Sequence, residues 1–180
     1  MKRTLIVVDM QTDFVDGALG TPEAVAILGK VTEKIHTYAA DPDGVIFVTY
    51  DTHAENYMET SEGKHLPVPH CVKGTKGWEL HPTVTAALEG VAYTPVEKPT
   101  FGSVALPALV AQAAAGEDFA VELIGLCTDI CVVSNTLLLK AHYPETSISV
   151  DASCCAGVTP ETHRAALTTM GMCQIQVKNG

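Results

Sequence analysis

A chain of 180 residues, 47% of them hydrophobic, has the length and apolar content for one domain with a full core. Eleven basic residues against 21 acidic ones leave a net charge of −10, and no Lys/Arg cluster stands ready to meet phosphates, which excludes a nucleic-acid surface. No apolar run is long enough to cross a bilayer, so no membrane role is expected either.

The opening residues, Met1 to Asp9, carry two basic side chains and then a short apolar segment. That segment is too short for a signal-peptide core and is closed by Asp9 without a small-residue cleavage site. It reads as a first strand, Thr4 to Asp9, in the middle of a sheet, and the expected location is the cytosol. An acidic residue at the C-terminal end of a central strand lies where open α/β sheets bind ligands; a helix cap or a solvated acid is the plain alternative for Asp9. Pro22 to about Ala40 has the 3.6-residue stripe Ala24, Ile27, Leu28, Val31, Ile35 and Tyr38 and predicts one helix. Val45 to Tyr50 is the second strand, and Asp51 closes it as Asp9 closes the first.

The stretch from Asp51 to Cys71 is long, polar and irregular, a kind of loop that is uncommon without a task. It holds His53, His65 and His70 among several carboxylates. Asp51-x-His53 leaving a strand, with His70 held between prolines and Cys71, offers mixed nitrogen and oxygen ligands for Zn, Fe(II), Mn or a similar divalent ion. Surface histidines in a solvated loop are the other reading. Trp78, the only tryptophan, either walls a pocket or anchors this loop.

His81 to Leu88 predicts a short helix, and Val91 to Lys98 a strand interrupted by Pro95. Lys98 in isolation reads as a surface lysine. Leu106 to about Ala115 is an Ala-rich helix, and Phe119 to Ile124 a buried parallel strand. The segment Gly125-Leu-Cys-Thr-Asp-Ile-Cys131 follows, then a helix with Val132, Val133, Thr136 and Leu137 on one stripe. Thr128 and Asp129 are placed to cap that helix, and a cysteine at its N-terminus gains thiolate character there. Packing of the helix on the sheet is the alternative use of Cys131. Thr146 to Asp151 reads as a strand ending in Asp, Pro160 to Met170 as a helix, and Cys173 to Val177 as a final strand. Alternating strands and helices predict a three-layer αβα sandwich with a central, mostly parallel sheet, as a single domain over residues 1–180.

The six cysteines (Cys71, Cys127, Cys131, Cys154, Cys155 and Cys173) fit no zinc-finger spacing, and reduced thiols are expected. Redox pairing of Cys127 with Cys131, or of Cys154 with Cys155, is the competing use.

Four segments in order, Ile6-Val-Val-Asp9-Met-Gln-Thr-Asp-Phe14, Asp51-Thr-His53 with Pro69-His70-Cys71, Glu97-Lys98-Pro-Thr-Phe-Gly-Ser103, and Gly125 to Val132, resemble the isochorismatase-like cysteine hydrolases, and among them the nicotinamidases. The resemblance spans essentially the whole chain. It implies a catalytic triad of Asp9, Lys98 and Cys131, a cis peptide at Leu126-Cys127, and an oxyanion hole from the backbone N–H groups of Cys127 and Cys131. It implies a divalent metal, Zn first and Fe or Mn next, on Asp51, His53, His70 and a further ligand. Where some members carry a third histidine this chain has Glu62 at nearly the matching spacing, with Glu59 and His65 as rivals. The tryptophan common before Pro-x-His-Cys is absent, and Leu66 to Cys71 stands in its place. Phe14, Phe101 and Trp78 are the expected substrate contacts. The implied reaction is hydrolysis of nicotinamide to nicotinate and ammonia through a Cys thioester; a relative acting on an N-carbamoyl, ureido or other small amide is the alternative. Vinyl-ether chemistry does not need the cysteine, and a thiol switch needs neither Asp9 nor Lys98. The resemblance also implies a small-molecule amide as partner and assembly as a homo-oligomer.

Overall fold

The first strand, β1 (Lys2–Val8), buries every side chain from Thr4 onward. Leu5 and Val7 enter one apolar cluster, Ile6 and Val8 the other, because successive side chains of a strand point to opposite faces. A strand that is apolar on both faces needs cover on both, and the chain supplies it. In the computed structural model, which describes residues 1–180, six parallel strands lie in the order β3 (Thr94–Lys98), β2 (Gly44–Asp51), β1, β4 (Phe119–Leu126), β5 (Ile148–Ala156), β6 (Gln176–Lys178), with helices on each side.

After β1 come α1 (Thr12–Val15), α2 (Pro22–Ala26), α3 (Leu28–Ala39) and β2 (Gly44–Asp51). The loop beyond β2 contains a 3₁₀ turn (Tyr57–Glu59) and α4 (Ser61–His65). Next are α5 (Pro82–Ala87), β3 (Thr94–Lys98), α6 (Leu106–Ala114) and β4 (Phe119–Leu126). A π turn (Thr128–Val132) leads into α7 (Val133–His142), followed by β5 (Ile148–Ala156), α8 (Pro160–Met172) and β6 (Gln176–Lys178). Val31, Ile35 and Tyr38 of α3 with Val84 of α5 cover the Leu5/Val7 face; Leu106, Val110, Leu139 and Met170 cover the Ile6/Val8 face. No helix is long and apolar enough to cross a membrane.

The three-layer α/β architecture is as the alternation of elements predicts, with three local differences. The single helix expected from Pro22 is two, because the chain turns at buried Ile27 so that α2 meets β5 while α3 lies along β1 and β2. The strand expected to end at Asp151 runs on to Ala156, since Leu126 and Gly125 of β4 pair with Ala156 and Cys155. The helix from Pro160 carries past Gly171 to Met172, and the last strand begins only at Gln176.

Gly125 of β4 lies hard against Val8 at the end of β1. Its φ is +114°, and a Cβ there would stand 2.2 Å from the Val8 carbonyl oxygen, so only glycine fits between β4 and the end of β1.

Candidate active site

Three neighbouring parallel strands end in ionisable residues at one edge of the sheet: β1 runs into Asp9, β2 ends on Asp51, and β3 ends on Lys98. The register pairs Asp51 directly with Lys98. The Lys98 ammonium, from a residue only 1% exposed, lies 2.6 Å from Asp9 Oδ2, 3.2 Å from Asp51 Oδ1 and 3.5 Å from Cys131 Sγ. Thr49, one alternation before Asp51 on β2, donates its hydroxyl to Asp9 Oδ1 at 2.6 Å. Asp9 is fully buried, Cys131 4% exposed. Read in isolation Lys98 looks like a surface lysine; its side chain instead points inward, where two carboxylates offset its desolvation.

The electrostatics follow from one cation shared by three acids. Burial pushes the Asp9 carboxyl above its usual range; Lys98 only partly offsets this, and Asp51 adds to it. Burial works against the Lys98 ammonium, but Asp9, Cys131 and Asp51 outweigh it, and Lys98 stays charged. Burial also raises the Cys131 thiol, as does Asp9, while Lys98 opposes both. The expected lowering by a helix N-terminus is thus outweighed.

The turn that carries Cys131 differs from the expected cap. Thr128 and Asp129 lie inside the π turn, and neither caps α7. Thr128 Oγ1 lies 2.8 Å from His163 Nδ1, and the Asp129 carboxylate accepts from the Val158 N–H at 3.1 and 3.2 Å, so both side chains fasten the turn to the start of α8. The Leu126–Cys127 peptide is cis. The Cys127 N–H donates to no backbone acceptor, which leaves it free for a ligand.

Beside Lys98, on the far oxygen of Asp51, the loop gathers a second cluster. Asp51 Oδ2 is 2.9 Å from His53 Nε2 and 3.6 Å from His70 Nε2; Glu62 Oε1 is 3.7 and 3.6 Å from the same two nitrogens. One atom from each residue falls within 4.8 Å of the others. Glu62 joins them because α4 turns it inward; His65 instead directs Nδ1 to the Ser61 carbonyl, 2.7 Å away, and Glu59 stays outside the group. His70 Nδ1 lies 2.8 Å from the Val68 carbonyl, an acceptor only, so Nδ1 carries a proton and Nε2 is the nitrogen presented to the cluster. Burial opposes charge on Asp51, but His53, His70 and Lys98 hold its carboxyl below the ordinary range. Two imidazole nitrogens and two carboxylates fit a divalent ion of the Zn, Fe or Mn type.

Sequence reasoning missed the supports of this cluster. Gln11, fully buried, accepts the Asp51 N–H at 2.8 Å and donates to the Asp51 and Trp78 carbonyls at 2.9 and 2.8 Å. Tyr57 packs edge-on against His53 and His70, with ring centroids 4.8 and 5.0 Å away, and donates its hydroxyl to the Leu66 carbonyl at 2.8 Å. Gln11, standing alone between Asp9 and Asp13 ahead of α1, was the one readable signal.

Both clusters open into one cavity of about 760 Å³, lined by Phe14, Phe101, Leu66 and Ile130 with Asp51, His53, Glu62, His70, Cys127 and Cys131. Phe14 meets the His70 ring edge-on at 5.4 Å, and Phe101 stands at the mouth, 45% exposed. Trp78, expected at the substrate, is not in this lining. It faces a separate cleft with Leu80 and Tyr93, because its indole N–H donates to Thr52 Oγ1 at 2.9 Å and its ring packs on Tyr50.

The isochorismatase domain model matches residues 3–178. The nicotinamidase/pyrazinamidase of Mycobacterium tuberculosis is 29% identical over 187 residues, covering 97% of this chain and 97% of that protein. The crystal structure of a nicotinamidase/pyrazinamidase from Bacillus subtilis superposes with a TM-score of 0.84 at 26% identity, covering 99% of this chain and all of the other. A pyrazinamidase of Pyrococcus horikoshii, in complex with zinc, gives a TM-score of 0.78 at 25% identity over 98% of both chains. With the match to the domain model running nearly end to end, the chain belongs to the isochorismatase family.

Proposed function

We propose that this protein is a cysteine amidohydrolase that cleaves nicotinamide to nicotinate and ammonia, with a divalent ion bound beside the nucleophile. The observation that carries the reading is Asp51: one of its oxygens contacts Lys98 in the Cys131 cluster, and the other faces His53 and His70. Nucleophile and ion site are thus neighbours on one cavity wall. The names of the Mycobacterium and Bacillus relatives support the amide class, and the zinc in the Pyrococcus structure supports the ion.

Asp9, which burial makes more basic than an ordinary carboxylate, accepts the Cys131 thiol proton. The Cys131 sulfur attacks the carboxamide carbon; the C=O electron pair moves onto oxygen, which the Cys127 N–H, together with that of Cys131, receives. As the tetrahedral species collapses, the C–N bond breaks and Asp9 returns its proton to nitrogen, releasing ammonia. Water, deprotonated by Asp9, then cleaves the thioester and restores the thiol. Lys98 holds Asp9 in place and balances the negative charge that passes between Asp9 and Cys131. Asp51, His53, Glu62 and His70 would hold the ion. When bound, it supplies a Lewis-acid contact that orients a ring nitrogen of the substrate. Phe14 and Phe101 flank the ring.

The test is ammonia release from nicotinamide by protein as purified, after chelation and after Zn, Fe or Mn is restored. Release that depends on the ion and vanishes in Cys131→Ala is the expected result. Full activity of Cys131→Ala overturns the scheme, and metal-independent release from an N-carbamoyl amide with none from nicotinamide moves the enzyme to another substrate class.

A further inference from the structure

Asn135 is fully buried on the first turn of α7, four residues after Cys131, and the scheme above gives it no task. Its carboxamide makes three bonds. Nδ2 donates to the Cys131 carbonyl at 2.8 Å and to the Phe101 carbonyl at 3.2 Å; Oδ1 accepts the Ser103 N–H at 2.8 Å. Two acceptors on one side and one donor on the other fix which end is nitrogen. The segment Phe101–Ser103 leaves β3 just after Lys98 and supplies Phe101 to the cavity mouth. Gly102 lies directly against α7 at Ser134: an added Cβ would meet its backbone and Cβ at 3.4 Å.

We propose that Asn135 is a positioning residue that holds the Phe101 wall in register with the Cys131 nucleophile, so that an aromatic amide is gripped at the distance where the thiol attacks. Phe101 is nearly half exposed and has no aromatic partner of its own, so its place depends on its backbone. Both backbone groups anchoring that segment to α7, the Phe101 carbonyl and the Ser103 N–H, end on the one side chain of Asn135. The Cys131 carbonyl ends there too. A single carboxamide therefore spans the nucleophile and the wall it works against. The inference rests on Cys131 being the nucleophile of the proposed amidase.

Neighbouring residues supply the control. Ser134 and Thr136 each bond the carbonyl four residues back, to Ile130 at 2.6 Å and to Val132 at 2.7 Å. Asn135→Ser therefore keeps a bond back to the Cys131 carbonyl in the π turn but is too short to reach Phe101 or Ser103. Asn135→Ala loses all three bonds. If Asn135 spans the two segments, both variants raise the KM for nicotinamide by roughly five- to tenfold with a smaller fall in kcat. In a Phe101→Ala background the same substitutions change KM less than twofold, because the wall they position is gone. Alkylation of Cys131 by iodoacetamide, which needs no wall, stays near wild type in Asn135→Ser.

A merely structural Asn135 gives a different pattern. Asn135→Ser then restores wild-type KM while Asn135→Ala lowers the melting temperature, or the KM effects add fully to that of Phe101→Ala; either result overturns the proposal. Should Asn135→Ala fail to fold, Asn135→Ser and Phe101→Ala with their double variant carry the test alone. A wild-type protein inert toward nicotinamide, or an active Cys131→Ala, would instead strike the proposed function, so the two failures are separable.

Discussion

Asp9 and Asp151 are both buried aspartates of the same sheet layer, each within 2.7 Å of a lysine, yet their carboxyls are shifted in opposite directions. Asp151 lies inside β5, where Lys34 meets one oxygen at 2.7 Å; the other takes the Ser153 N–H, the Ser153 hydroxyl and the Asn179 amide at 3.1, 2.8 and 3.1 Å. Glu122 beside it accepts from Tyr38 and contacts Lys34 and Lys178. Two acids thus face two lysines, and although burial opposes it, Lys34, Asn179 and Ser153 hold the Asp151 carboxyl down to about 2. At Asp9 a single lysine serves Asp9, Asp51 and Cys131, burial dominates, and the carboxyl rises instead. Saturated partners make a buried acid structural; a shared cation leaves it ready to exchange a proton.

Removing the cation from each cluster gives the largest expected contrast. Lys98→Met strands two buried carboxylates: the expected loss is about 3–5 kcal/mol of stability, read by denaturant unfolding. With it goes about a thousandfold or more of kcat. Lys34→Met leaves Asp151 its Ser153 and Asn179 donors and Glu122 its Tyr38 and Lys178 partners, so about 1 kcal/mol is expected with kcat unchanged. Equal stability losses in the two variants would erase the distinction. Next in size, Glu62→Gln keeps the shape of the ion site but removes one of its carboxylates. Zinc affinity, measured by competition with a chromophoric chelator, should fall at least about tenfold; unchanged affinity would place the ion elsewhere.

A pH effect of smaller size separates the clusters again. Asp151 titrates near 2 in the folded chain against about 4 unfolded, so its stabilising contribution is complete above pH 4 and is lost as pH falls from there toward 2. Glu122, also lowered, acts in the same direction. With solvent screening at the Lys34 side, Asp151 accounts for about 1 kcal/mol of this. Asp151→Asn should flatten the acid limb of the stability-pH curve below pH 4 while leaving the neutral plateau lower. An unaltered acid limb would mean that the cluster does not titrate on unfolding.

Much of the molecule was legible because its central strands are short apolar runs whose ends carry charge. That rule puts Asp9, Asp51 and the turn before Cys131 at strand ends, while their use together comes from the family resemblance. What stayed hidden depends on partners distant in sequence. Lys98 reads as surface until the β2–β3 register sets it against Asp51, 47 positions earlier. The run of β5 past Asp151 through Ser153 looks too polar for a buried strand until Lys34, Ser153 and Asn179 are seen to satisfy Asp151. The choice of Glu62 over Glu59 and His65 turns on how the single turn of α4 is set against the histidines. The π turn at Thr128 has no sequence signature, and the side chains that looked like caps serve α8 instead.

Trp78 gives the smallest expected effect and the sharpest check on where the substrate site ends. Its indole N–H binds Thr52 and its ring rests on Tyr50, with Lys73 5.9 Å over the ring centroid, all outside the cavity that holds Cys131. Trp78 meets Gln11, the support of Asp51, through its backbone carbonyl, which a side-chain change leaves untouched. Trp78→Phe therefore forfeits one partly buried hydrogen bond, about 1 kcal/mol in chemical unfolding, and leaves the nicotinamide KM within twofold of wild type. Phe101→Ala, on the cavity wall, should do the reverse, moving KM with little change in stability. A KM that rises with Trp78→Phe as much as with Phe101→Ala would return the tryptophan to the substrate and extend the site beyond the cavity, across Thr52 to the opposite side of β2.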